Sequence, residues 1–248
     1  MQRKETETEW SWQGADPSVL AEEYERTGVL RLADFLDPAV ADDLYDHLRA
    51  RDDWKRSITS AEGVHDIDRQ TMQAFPPETR AQLDEAVYAR ARYDFQFRYE
   101  TIRIPDDRAE REAQDDVLSR LALSFSSGPI RDFFRTVTGV KEIDFADAQA
   151  TAYSPGDFLT GHDDLIAGKN RHAAYVIGLT PTWRPEWGGL LLFHDEHRDV
   201  MRAYPPAMNV VTLFRVPQSH SVTEVTRASP YRRYSIAGWL RAEDDAQR

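Results

Sequence analysis

ATAYSPGDFLTGHDD, residues 150–164, is a largely apolar run broken by turn signals and closed by a histidine and an aspartate two positions apart. Ser154-Pro155-Gly156 interrupts it first and Gly161 interrupts it again. The same punctuation continues downstream at Gly168, Pro181, Gly188-Gly189, Pro205-Pro206, Pro217 and Pro230. Short apolar runs separated by such turns predict many short strands, hence a β-sandwich or barrel. The last hundred residues or so are therefore expected to form a jelly roll.

Upstream the pattern is helical. Residues 17–26 read as a helix that Gly28 ends, and the apolar stretch 29–32 reads as a strand. Asp37-Pro38 is a helix start, since the carboxylate can cap free amides and proline suits the first helical position. Val40, Leu44 and Leu48 follow at helical spacing, giving that helix one face to lay on a sheet. Residues 51–77 show no clear period and read as strands and loops. Residues 78–92 read as a helix, 93–104 as an aromatic and β-branched strand, 106–123 as one charged helix, and 129–138 as a helix stopped by Gly139. The expected class is α+β with a mainly β core, a jelly roll braced by N-terminal helices. Residues 1–16, polar around Trp10 and Trp12, are expected to be a flexible end whose tryptophans dock on the body. One domain is expected over 17–248, with helical support in 17–139 and the β core in 140–242.

Composition narrows the chemistry. With no cysteine among 248 residues, disulfides, thiolate zinc sites, iron–sulfur clusters and a cysteine nucleophile are excluded. Any metal must be held by histidine and carboxylate. A formal net charge of −12 repels phosphate backbones, so nucleic acid is not the expected partner. No apolar run is long enough to span a membrane and residues 1–9 are polar, so neither a membrane anchor nor a secretory signal is expected and the compartment is read as cytoplasmic.

His162 and Asp164 would face the same side of an extended chain and could reach one ion. Alone, such a pair is far more often a turn with a capping aspartate. His220, 56 residues beyond Asp164, supplies a third ligand ahead of the apolar Val222 and Val225. Two imidazoles and one carboxylate on one face of an octahedron form the facial triad of non-haem iron(II) oxygenases. Arg233 opens the alternating run Arg233-Tyr234-Ser235-Ile236-Ala237-Gly238-Trp239, which reads as a strand. Its guanidinium can grip a carboxylate through two parallel hydrogen bonds, as an anchor for a dicarboxylate requires. Asp163 should point away from the metal by strand alternation. His47 and His65 read as ordinary residues, His172 as a strand start, and His194 and His197 as part of the charged loop 195–199 that could border a substrate.

In this order the motifs resemble the prolyl-hydroxylase-like branch of the 2-oxoglutarate/iron(II) dioxygenases. Tyr153-Ser154-Pro155-Gly156 with His162 and Asp164 resembles that family's opening strand and first two ligands. Gly188-Gly189-Leu190-Leu191-Leu192-Phe193 resembles its glycine-led central strand. Asn209 to Phe214 with His220-Ser221-Val222 resembles the turn presenting the distal histidine, and Arg233-Tyr234-Ser235-Ile236 the strand carrying the cosubstrate's arginine. Gly28 to Pro38 resembles the branch's N-terminal strand and helix. The likeness implies a double-stranded β-helix (cupin-like), iron(II) on His162, Asp164 and His220, and 2-oxoglutarate on the iron and Arg233. It also implies dioxygen as oxidant, release of succinate and carbon dioxide, and ascorbate as a stimulant. Metal and cosubstrate carry the chemistry, so no side chain is assigned as acid, base or nucleophile.

Several members place a tyrosine on the strand after H-x-D; the matching position is Gly178, and Tyr175, three residues away, is expected to face outward. Tyr153, or a hydroxyl such as Thr160 or Thr180, is then the expected second contact to the cosubstrate. The implied substrate is a prolyl residue of a protein or peptide. A free amino acid or natural-product intermediate is the alternative, and a non-catalytic jelly-roll binding module or another cupin-like metal enzyme remains open.

Overall fold

The computed structural model describes residues 14–114 and 116–242. Trp10 and Trp12, and with them the docking expected of the N-terminal end, lie outside the described residues. Among the described residues, seven α-helices run through 17–138: α1 Pro17–Thr27, α2 Pro38–Ala50, α3 Arg69–Ala74, α4 Pro77–Ala91, α5 Arg108–Ala113, α6 Val117–Phe125 and α7 Gly128–Thr138. Four strands are interleaved with them, β1 Val29–Ala33, β2 Lys55–Ser60, β3 Gly63–Asp68 and β4 Phe97–Arg103. Then come β5 Phe145–Ala146, β6 Gln149–Tyr153, β7 Phe158–His162, β8 Arg171–Leu179, β9 Leu191–His194, β10 Val200–Tyr204, β11 Met208–Arg215, β12 His220–Val222 and β13 Arg233–Arg241.

Most strands pair antiparallel in the order β1-β11-β8-β13-β6-β4-β7-β12-β9-β10. The path turns a corner at β4, whose residues 100–103 pair with β6 while Phe97 and Arg98 pair with β7. The second layer is thereby brought across the face of the first. This is the expected double-stranded β-helix with N-terminal helices.

Strand alternation gives the larger layer two different faces. Tyr234, Ile236 and Leu240 of β13, with Tyr175, Ile177 and Leu179 of β8, join the core formed with the helices. Helical spacing supplies the other half of that core, through Leu44 and Leu48 of α2, Leu121 and Phe125 of α6, and Phe133 and Phe134 of α7. On the opposite face Tyr153, Ala174, Val176 and Trp239 look toward Leu191, Phe193 and Val222 of the second layer.

Three expectations need correction. Residues 106–123 form two helices, because Gln114 is extended and Asp116 starts α6 by accepting from Leu118 N at 2.8 Å. Residues 51–77 contain a regular hairpin and α3, whose N-terminus Asp68 caps through Thr71 N. The strand expected from residue 93 begins only at Phe97, since the buried Gln96 side chain pairs with both Thr59 N and Thr59 O and residues 93–94 turn back on Arg90 O.

Gly238 interrupts the apolar alternation of β13 for a packing reason. A Cβ there would lie 1.9 Å from Asp147 O, a backbone atom that cannot swing aside. Gly238→Ala is expected to cost about 2–3 kcal/mol, read as a lowered midpoint in denaturant unfolding.

Candidate active site

The site forms where the two layers face each other. His162 closes β7 and His220 opens β12, and the register of that antiparallel pair sets them directly opposite, with ring centroids 4.1 Å apart. Asp164 completes the group: its Oδ1 lies 3.4 Å from His162 Nε2 and its Oδ2 lies 3.4 Å from His220 Nε2. All three potential ligand atoms fall within 4.8 Å of one another, and no second such group occurs among the described residues.

Both rings are held by the backbone. Thr160 O lies 3.0 Å from His162 Nδ1 and Gln218 O lies 2.7 Å from His220 Nδ1. A carbonyl can only accept, so each Nδ1 donates and each Nε2 keeps its lone pair, the tautomer a metal ligand requires. Burial, with the neighbouring His162, pushes the His220 pKa down to about 4, leaving this imidazole neutral at neutral pH. Burial alone would raise the Asp164 carboxyl, but His162 and His220 outweigh it and hold the group below its ordinary value. Two imidazole Nε2 atoms facing an ionised carboxylate are a donor set for a divalent cation.

Asp164 reaches this position by a route that alternation did not predict. β7 ends at His162, and Asp164 adopts a left-handed backbone with φ 64°. Asp163 is exposed, and its carboxylate accepts from Leu165 N at 3.0 Å.

Beside the triad lies a cavity of about 360 Å³ whose lining includes Tyr99, Thr151, Tyr153, Arg233, Ser235 and Trp239. Arg233 is 5% exposed, with no carboxylate at ion-pair distance among the described residues, and its Nε is buried without a partner. Burial drives its pKa down, opposed by the Tyr153 hydroxyl and by no carboxylate. A buried guanidinium with no internal counter-ion fits an anion brought from outside. Arg232, of opposite parity, pairs instead with Glu100 and lies over the Trp54 and Tyr234 rings.

Tyr153 sits opposite Arg233 in the β6–β13 register, with the guanidinium 4.9 Å from its ring centre. It stacks on Tyr99 at 5.1 Å. Burial raises the Tyr99 pKa to about 12 and raises Tyr153 as well, so both remain hydrogen-bond donors.

Thr160 and Thr180 are not at the cavity. Thr180 bridges Tyr234 N and Tyr234 O, and Thr160 is engaged with Gln96. Gly178 admits no side chain, because a Cβ would lie 2.3 Å from Ala207 O. Tyr175 does not face outward: it is 1% exposed, packs on Phe125 and Phe134 in the helical core, and donates to Asp147 O.

Among the other histidines, His194 ends β9 with Nε2 2.8 Å from Ser221 Oγ, so it belongs to a strand and not to the loop. His47 and His65 serve local contacts with Asp116 and Ser60. The sequence reading missed Tyr99, Thr151 and Arg171. It also left Trp239 unassigned, although Trp239 shares the parity of Arg233.

Residues 148–241 match the family described as the 2OG-Fe(II) oxygenase superfamily. The match takes in both strands that carry the histidines, the Asp164 turn and the strand that carries Arg233. Prolyl 3-hydroxylase sudestada1 of Drosophila melanogaster is 32% identical over 127 residues, covering 46% of this chain and 23% of that protein. Prolyl 3-hydroxylase OGFOD1 of Mus musculus is 32% identical over 117 residues, covering 44% and 21%. The match thus spans less than a quarter of either relative. In fold the chain is similar to a Pseudomonas putida prolyl-4-hydroxylase, with TM-score 0.61 and 16% identity over 92% of this chain and 100% of that one. It is also similar to a Trichoplax adhaerens prolyl hydroxylase in complex with a hypoxia inducible factor peptide fragment, with TM-score 0.62 and 15% identity over 98% and 97%. Among the described residues, no helix is long and apolar enough to cross a membrane.

Proposed function

We propose that the chain hydroxylates a prolyl residue of a protein or peptide, consuming dioxygen and 2-oxoglutarate and releasing succinate and carbon dioxide. The observation that carries this reading is the pairing, in one cavity, of a converged His-Asp-His triad with the buried Arg233, which has no carboxylate at ion-pair distance among the described residues. His162 Nε2, a carboxylate oxygen of Asp164 and His220 Nε2 would hold iron(II). Bound there, iron supplies the oxygen-activating chemistry, with 2-oxoglutarate as the two-electron reductant.

The protein's own contribution is placement. Arg233 binds the remote carboxylate of the cosubstrate, and the Tyr153 hydroxyl is its second contact. The carbonyls of Thr160 and Gln218 fix the two imidazoles. Phe214 and Phe193 pack against His220 at centroid distances of 4.7 and 6.2 Å, and Phe95 packs against His162 at 5.3 Å, walling the reaction from water.

Two observations favour a macromolecular substrate. Val64, Phe95, Leu165 and Ile166 all line the cavity while 44–62% exposed, an apolar rim of a kind that a partner surface covers. The curated relatives that match are prolyl 3-hydroxylases. A net charge of −12 further suits a basic protein target in the cytoplasm.

The test is to incubate iron-loaded protein with a cell extract and search its peptides by mass spectrometry for one added oxygen on proline. The expected result is such a peptide only when 2-oxoglutarate is supplied. Succinate formed with a small molecule and with no prolyl peptide would end the protein-substrate reading and leave the oxygenase.

A further inference from the structure

Asp164 is the one member of the triad that no strand positions, since β7 stops at His162 and the following residues form an exposed loop. Its φ of 64° is a conformation that residues other than glycine adopt sparingly and leave readily unless something holds them. The holding group is visible. Arg171, the first residue of β8, donates from Nη1 to Asp164 O at 3.2 Å.

Arg171 is itself fixed for this task. Its guanidinium carbon lies over the Trp239 ring, 3.6 Å from the ring centre, and its Nε is buried with no partner. Among the described residues no carboxylate lies within ion-pair distance of it. An arginine at the head of a strand normally finds an acid or water. This one is spent on a backbone carbonyl, and through Trp239 it is tied to the strand that carries Arg233.

We infer that Arg171 is a positioning residue for the metal site, locking the left-handed turn at Asp164 so that its carboxylate stays between His162 Nε2 and His220 Nε2. The inference rests on the proposed metal reading. Without the Nη1 contact the carbonyl is free to rotate, and the carboxylate swings toward solvent with the loop. Iron(II) affinity is then lost although all three ligands are intact.

The experiment measures the iron(II) dissociation constant of the full chain by anaerobic competition with a chromogenic chelator, without cosubstrate or turnover. Arg171→Met keeps the stem and loses every donor, and is expected to bind iron about ten- to hundredfold more weakly, the range for groups that orient a ligand. Arg171→Lys restores one donor and is expected to recover most of that affinity, which a purely packing role would not allow. If Arg171→Met fails to fold, Arg171→Gln, two atoms too short to reach the carbonyl, replaces it. Wild-type affinity in the loss variant overturns the inference alone, and so does equal loss in the lysine variant. A wild-type chain that binds no iron overturns the metal reading and this inference with it.

Discussion

Asp164→Ala is expected to leave a folded protein that retains almost no iron(II), and His162→Ala and His220→Ala are each expected to do the same. The triad supplies three protein ligands and no more, so each replacement removes a third of the protein's hold on the ion. The loss should exceed the roughly 10- to 100-fold that follows removal of a group that only orients a ligand. Asp164 should be the most sensitive, because its two oxygens approach both imidazoles at 3.4 Å and it alone brings negative charge to a divalent cation. Metal content after anaerobic loading and desalting measures the effect, with succinate release as a second reading. Near-stoichiometric iron in all three variants, together with full succinate release, would remove the triad from the function.

What the sequence disclosed about this site follows from which constraints are local. The His162-x-Asp164 pair, His220 and Arg233 are legible because a metal and a dicarboxylate demand particular donor types and because turns fence the strands that carry them. The parity of Arg232 and Arg233 is legible for the same reason, since strand alternation is a period of two. Arg171 and Tyr99 were not legible. An arginine opening a strand and a tyrosine in an aromatic strand have ordinary roles, and only the fold places one over Trp239 and the other against Tyr153.

The misreadings have the same origin. Asp164 was brought to the metal by strand alternation on paper, whereas a left-handed turn does it in the molecule. Thr160 and Thr180 offered hydroxyls of the right chemistry, but backbone groups of Gln96 and Tyr234 had already claimed them. The break between α5 and α6 was hidden because Asp116 reads equally well as a helix-surface acid and as a cap.

Arg233→Ala is expected to weaken 2-oxoglutarate binding by a factor of about thirty to several thousand while iron stays in place. Arg233 is 5% exposed and has no carboxylate at ion-pair distance among the described residues, so in the free protein its charge lacks a counter-ion and the incoming carboxylate is its natural partner. Truncating one side of a buried, hydrogen-bonded charge pair costs on the order of 2–5 kcal/mol, and each 1.4 kcal/mol is about tenfold in affinity. Iron should be spared because Arg233 lies on β13, away from the backbone that carries the three ligands on β7, its following loop and β12. Tyr153→Phe, which removes only the hydroxyl opposite Arg233, should cost about tenfold or less. Arg232→Ala is the control: it breaks the ion pair with Glu100 on the other face, and should lower stability slightly while leaving cosubstrate affinity within about twofold. Titration of each iron-loaded variant with 2-oxoglutarate under nitrogen separates the two arginines. Equal losses from Arg232 and Arg233 would mean that the β13 register does not decide which guanidinium meets the cosubstrate.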